Sequence, residues 1–94
     1  MVGLSSREAP VPQSDLLRAL DLLQAGDWDG AHKIAQAGPS DLGSWCHGIV
    51  HMVEPDENNS RYWYRRAGRP FPGMGAEDSE VAALRVALSR PEAL

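Results

Sequence analysis

Cysteine, cations and long apolar runs are all scarce in this chain, and each shortage excludes a class of protein. A single cysteine, Cys46, allows neither an internal disulfide nor a thiolate-rich zinc site, and it fits a reducing, cytoplasmic setting. No apolar stretch approaches the roughly 20 residues needed to cross a bilayer, so no membrane span is expected. Between Met1 and Gln13 there is no apolar segment behind a basic start, and Pro10 and Pro12 give this part an extended, tail-like character. No export signal is read there. Cations are also outnumbered: Lys and Arg total 9 against 13 Asp and Glu, and the formal charge of −4 opposes general affinity for DNA or RNA, which rests on neutralising phosphates.

What remains is globular in composition, with 43% hydrophobic and 23% charged residues in 94 positions, enough for one domain with one modest core. Residues 14–89 are read as that domain, between an extended tail at 1–13 and a short tail at 90–94. Ser14 caps a first helix over about 14–25, in which Leu16, Leu17, Leu20 and Leu23 recur at three- and four-residue spacing until Gly26 stops it. Asp27 caps a second, about 28–37, with Trp28, Ala31, Ile34 and Ala35 on one face and Gly38-Pro39 as its break.

Ser40 or Asp41 begins a third helix, whose Leu42, Trp45, Cys46, Ile49, Val50, Met52 and Val53 cover an arc of about 160° before Pro55. Asp56 or Asn58 begins a fourth, with Ser60, Trp63, Tyr64 and Ala67 inward and Arg65 and Arg66 in the last turn before Gly68. A Pro- and Gly-rich loop follows to Ala76. Asp78 or Ser79 then caps a closing helix packed through Val81, Leu84, Val86 and Leu88. No segment alternates with a period of two, so the expected fold is all-α: two antiparallel helical hairpins and a C-terminal closing helix.

The two hairpins also align with each other, Gly26-Asp27 on Pro55-Asp56, Ala31 on Ser60 and Leu23 on Met52. At Ala25-Gly26-Asp27-Trp28-Asp29-Gly30-Ala31 the chain resembles the turn between the paired helices of the tetratricopeptide superfamily. Ser60-Arg61-Tyr62-Trp63-Tyr64-Arg65-Arg66-Ala67-Gly68 is similar to the second helix of its SEL-like branch. The resemblance covers about residues 15–68, with a repeat offset shorter than the usual 34 or so residues and Gly68 in place of an alanine. It implies stacked helical hairpins that bind a protein or peptide partner.

Chemistry is concentrated in the histidines. His47, His51 and Glu54 stand at i, i+4 and i+7 on one stripe of the third helix, centred away from its apolar arc. Such a pair can chelate zinc or another divalent transition metal, with the carboxylate as a third ligand or a base. An antiparallel fold about the Gly38-Pro39-Ser40 turn brings His32 level with His47. The same argument about Pro55-Asp56 puts Tyr64 level with His47 and Ser60 level with His51. The candidate metal site is therefore His32, His47, His51 and Glu54, bordered by Tyr64. The plain alternative is a set of histidines hydrogen-bonded to neighbours or water. A zinc-protease signature is absent, because Gly48 stands where its glutamate would be, and no serine elbow, phosphate loop or dinucleotide fingerprint occurs.

A second candidate surface consists of Arg61, Arg65 and Arg69 with Tyr62 and Tyr64, which would grip an acidic partner or an anion, unless the arginines simply pair with Glu54, Asp56 and Glu57. Cys46 points toward the apolar arc and is read as an inert core thiol. Trp28, Trp45 and Trp63 are read as core, and Phe71 as a plug over the hairpins. Two functions follow: a helical interaction module, with a homodimer expected because two hairpins leave an open end, or a metal-binding protein, which would extend to hydrolysis.

Overall fold

The computed structural model describes residues 12–37 and 40–89. Among these the chain forms five helices and no strand: α1 (Gln13–Gln24), α2 (Trp28–Ala35), α3 (Asp41–Val53), α4 (Glu57–Arg66) and α5 (Glu77–Ser89). The tails at 1–11 and 90–94 and the Gly38-Pro39 break lie outside the described residues.

Local chemistry sets most of the boundaries. The Asp27 carboxylate accepts from the Gly30 N–H at 3.0 Å, the Ser40 hydroxyl from Gly43 at 2.9 Å and the Asp56 carboxylate from Asn59 at 3.3 Å, each satisfying an orphan donor of a first turn. Two expected caps are corrected. Helix α1 starts at Gln13 with Pro12 at its cap position and no side-chain cap, because the fixed φ of Pro12 already directs the chain into the helix. Helix α5 begins at Glu77, so Asp78 and Ser79, expected to cap it, lie inside its first turn, and Ser79 donates back to the Ala76 carbonyl at 3.1 Å.

The ends of α1 and α4 are built alike. Gly26 and Gly68 take φ of 91° and 74°, where a side chain would be strained. The following N–H groups, of Asp27 and Arg69, bond back to Leu22 and Tyr64 at 2.8 and 3.0 Å. Asp56 does the same to His51 at 2.7 Å. Asp27 and Asp56 thus each close one helix and cap the next, so the two turns aligned in the sequence share one hydrogen-bonding plan.

Helices α1 and α2 form one hairpin, α3 and α4 the other, and α2 packs on α3. Helix α5 folds back across α1 and α3. Every residue from Gly43 to Met52 is buried, so α3 is the centre of the molecule and has no solvent face. Around it lie Leu16, Ala19, Leu20 and Leu23 of α1, Ala31 and Ala35 of α2, Tyr64 of α4, and Val81, Leu84 and Leu88 of α5. Val53 and Val86 are exposed (39% and 61%), against expectation: Val53 lies at the end of α3, and Val86 turns away from the Val81, Leu84 and Leu88 face.

Polar ties hold the helices in register. The Ser60 hydroxyl donates to the Gly48 carbonyl at 2.6 Å and Trp28 Nε1–H to the Val50 carbonyl at 2.8 Å. One Glu80 oxygen accepts both Trp45 Nε1–H at 2.9 Å and the Tyr64 hydroxyl at 2.8 Å, joining α5 to α3 and α4. Arg85 bonds Asp21 and Gln24 at 2.8 and 2.7 Å. Phe71 is half-buried against Tyr64, as a plug should be.

Gly48 is where α3 and α4 come closest. A Cβ there would lie 2.6 Å from Tyr64 Cδ1 and 2.8 Å from Cε1, and Tyr64 is pinned at its hydroxyl by Glu80. On an open helix Gly→Ala stabilises by about 1 kcal/mol. Here the clash outweighs that gain, and Gly48→Ala is expected to destabilise by about 1–3 kcal/mol in urea melts. A net stabilisation would show that Tyr64 is free to move.

Candidate functional site

On the side of α3 that meets α2, the core turns polar. Asp27 and Trp28 launch α2 so that His32, one turn after Trp28, faces α3, where four-residue spacing stacks His47 above His51. The three imidazole centres form a nearly equilateral triangle, with edges of 4.9 Å (His32 to His47), 4.9 Å (His47 to His51) and 5.1 Å (His32 to His51). His32 Nε2 and His47 Nε2 are 3.1 Å apart. One ring nitrogen from each residue lies within 4.8 Å of one from each of the others.

The expectation that His47 and His51 lie away from the core is corrected. They are 5% and 6% exposed, because α3 is enclosed on every side and its stripe opposite the apolar arc is covered by α2 and α4. His32 is half-buried at the rim. Glu54 joins them from outside, its carboxylate 2.7 Å from His51 Nδ1. The carboxylate can only accept, so Nδ1 is the donor, and whenever the ring is neutral its lone pair is on Nε2.

Two tryptophans wall the cluster. Trp28 stacks on His32, with centres 4.7 Å apart and planes at 10°, and Trp63 stacks on His47 at 3.9 Å and 11°. Both are half-buried rather than core, which corrects the reading from helical spacing; only Trp45 of the three is fully interior. The placement of Trp28 was available in the sequence, since it stands four residues before His32 on one helix face. That of Trp63 was not, because it depends on the α3–α4 register.

That same register removes Tyr64 from the site. Tyr64 lies against Gly48 and Phe71 and donates to Glu80, and burial together with this carboxylate raises its pKa far above the ordinary phenol value. Ser60 lies opposite Gly48 instead of His51. Asp56 does come near: it forms a second group with His51 and Glu54, although its oxygens already accept from Asn59 N and Nδ2, which lowers its pKa.

The arginine surface does not converge on one point. Arg61 pairs with Glu57 at 2.7 Å and lies over Phe71, while Arg69, redirected by the turn at Gly68, covers the Trp45 ring at 3.5 Å. Arg65 is exposed, and Arg66 is the residue that reaches Tyr62 (3.4 Å to its hydroxyl) and Trp63 (5.5 Å to its ring). Tyr62 is 42% exposed. Cys46 is sealed in the core, and burial pushes its thiol up to about 12, as expected of an inert residue. A groove of about 360 Å³ between Leu23, Val53, Val81 and the acidic Glu77 and Asp78 shares no residue with the histidine cluster.

Chemically, two rings of the triangle, His47 and His32, are held toward the neutral form. Burial holds His47 down to about 3, with further lowering from positive charge on His51 and His32. Burial and His51 also lower His32, while Glu54 and Asp29 oppose the shift. Comparison with protein-family models, curated proteins and solved structures finds no match for the chain.

The pH response follows from these directions. At pH 7 both folded and unfolded His47 are neutral, so the shift contributes nothing there. Below the ordinary value of 6.5 the unfolded chain takes up a proton that the folded chain refuses down to about 3, so stability falls with pH across that window. One such group gives a limiting slope of about 1.4 kcal/mol per pH unit. Urea melts at pH 7, 6 and 5, where most carboxylates stay ionised, are expected to show this loss, reduced in His47→Gln. Equal stability at pH 7 and 5 would mean that the rings are hydrated as in the unfolded chain.

Proposed function

We propose that this protein binds a divalent transition metal through His32, His47 and His51. The triangle of imidazoles is the observation that carries the reading. Metal–nitrogen bonds of about 2.0–2.1 Å put tetrahedral ligand nitrogens about 3.3 Å apart and the ring centres about 5 Å apart. The 3.1 Å nitrogen pair and the ring-centre edges of 4.9–5.1 Å are close to this spacing, and one ring nitrogen from each residue lies within 4.8 Å of the others. Glu54 on His51 supplies the carboxylate that commonly orients a ligating imidazole. Low basicity keeps the His47 and His32 rings neutral near neutral pH, and an ion needs only the proton between their Nε2 atoms to move to the donor ring's Nδ1. Imidazole-only donors select zinc, copper, nickel or cobalt over calcium or magnesium.

Titration of metal-free protein with Zn²⁺ is expected to show one ion per chain and a rise in melting temperature, since an ion at a hundredfold its Kd adds about 2.7 kcal/mol to stability. His32→Ala tests the site best, because that ring is half-buried and its loss leaves the core filled. His47→Ala also removes packing against Trp63, so it is expected to lower both affinity and stability. Unchanged zinc affinity in both variants would refute the site.

A second reading, a helical interaction module in the cytoplasm, is supported by the outer face of α4. Arg65 and Arg66 have no ion-pair partner among the described residues, and Tyr62 stands exposed beside them on a chain of net charge −4. The shared plan of the two turns supports the tetratricopeptide resemblance. The partner would be an acidic polypeptide or, through a face left open by the hairpins, a second copy. Binding to polyglutamate at low ionic strength, weakened at least tenfold in Arg65→Glu/Arg66→Glu, is the expected result; no binding in the parent protein would rule out the acidic partner.

A further inference from the structure

We propose that a metal ion held by His32, His47 and His51 keeps a coordination position for solvent, occupied by water and exchangeable for a small monodentate anion. This rests on the metal-binding reading above. The argument is a count of donors and of where each is already committed. Among the described residues, no fourth His, Cys, Asp or Glu joins the triangle.

Each nearby candidate is turned elsewhere. Glu54 meets His51 at Nδ1, and the two ring nitrogens of an imidazole point their lone pairs in diverging directions, so a carboxylate on Nδ1 cannot share an ion with Nε2 of the same ring. The Tyr64 hydroxyl donates to Glu80 on the far side of α4. Cys46, beside His47 in the chain, is fully enclosed by the apolar core. The walls themselves, Trp28 and Trp63, offer ring faces, and the Trp28 N–H is spent on the Val50 carbonyl.

Zinc and cobalt bound by nitrogen take four ligands or more, so three imidazoles leave at least one position that no His, Cys, Asp or Glu among the described residues fills. His32, Trp28 and Trp63 are all half-buried, whereas His47 and His51 form the buried floor, so the cluster borders solvent. Sites with three protein ligands and one solvent molecule are the kind in which an ion acts on what it binds, by lowering the pKa of water or polarising an oxygen.

Cobalt substitution reads the open position directly. Metal-free protein loaded with one equivalent of Co²⁺ is expected to give the visible d–d absorption of a four- or five-coordinate ion, and azide or acetate is expected to shift those bands saturably. A normal cobalt spectrum that neither anion changes would overturn the open position while leaving the metal site standing. No such visible band in the parent protein would overturn the metal reading itself. The same would follow from an unaltered spectrum in His32→Ala, and circular dichroism of that variant secures the comparison.

Discussion

Helix α3 is enclosed by the other four helices, and this enclosure governs the rest of the molecule. Ten consecutive residues, Gly43 to Met52, are buried, so the polarity the sequence places there is satisfied mainly by protein. Ser60 reaches the Gly48 carbonyl, Glu80 takes the Trp45 N–H, and His47 and His51 find His32 and Glu54. No buried side-chain nitrogen or oxygen among the described residues lacks a partner. A fold that needed only an apolar centre would be served by leucine at 47 and 51. Polar rings at these two places require matching groups on α2 and at Glu54, and all of them are present.

Most of the secondary structure was legible because it rests on short-range chemistry. Asp27, Ser40 and Asp56 cap, Gly26 and Gly68 stop, and the apolar spacing between them leaves little choice of phase. The turn argument likewise brought His32 to His47 across fifteen residues of chain, since a tight connection fixes which positions stand level. Burial of the histidine stripe was not legible. An arc of about 160° on α3 implies a free opposite face, and only the packing of α2 and α4 shows that there is none.

Tyr64 and Trp63 show how fine the missing information is. They are adjacent in sequence, and both point inward on helical spacing. Gly48 decides between them: lacking a Cβ, it accepts the Tyr64 ring at van der Waals distance, which turns Tyr64 toward α5 and brings Trp63 onto His47. The arginines fail for a related reason. Four-residue spacing places Arg61, Arg65 and Arg69 on one line only while the helix lasts, and the reversal at Gly68 sends Arg69 to Trp45.

The tryptophan walls bear on the proposal that the histidines form a site rather than filler. A merely structural network gains by leaving each imidazole free to choose its tautomer and partner. Here Trp28 and Trp63 fix two ring planes by stacking, and Glu54 fixes the third ring by its hydrogen bond. Such ordering costs side-chain entropy, and the bond it yields, His32 to His47, is a neutral contact worth about 1 kcal/mol. Three rings held with a ring nitrogen of each within 4.8 Å of the others are more order than that one bond requires. An ion binding there would find its ligands already placed, with little reorganisation left to oppose it, and this is the physical argument for placing metal binding ahead of a purely structural role.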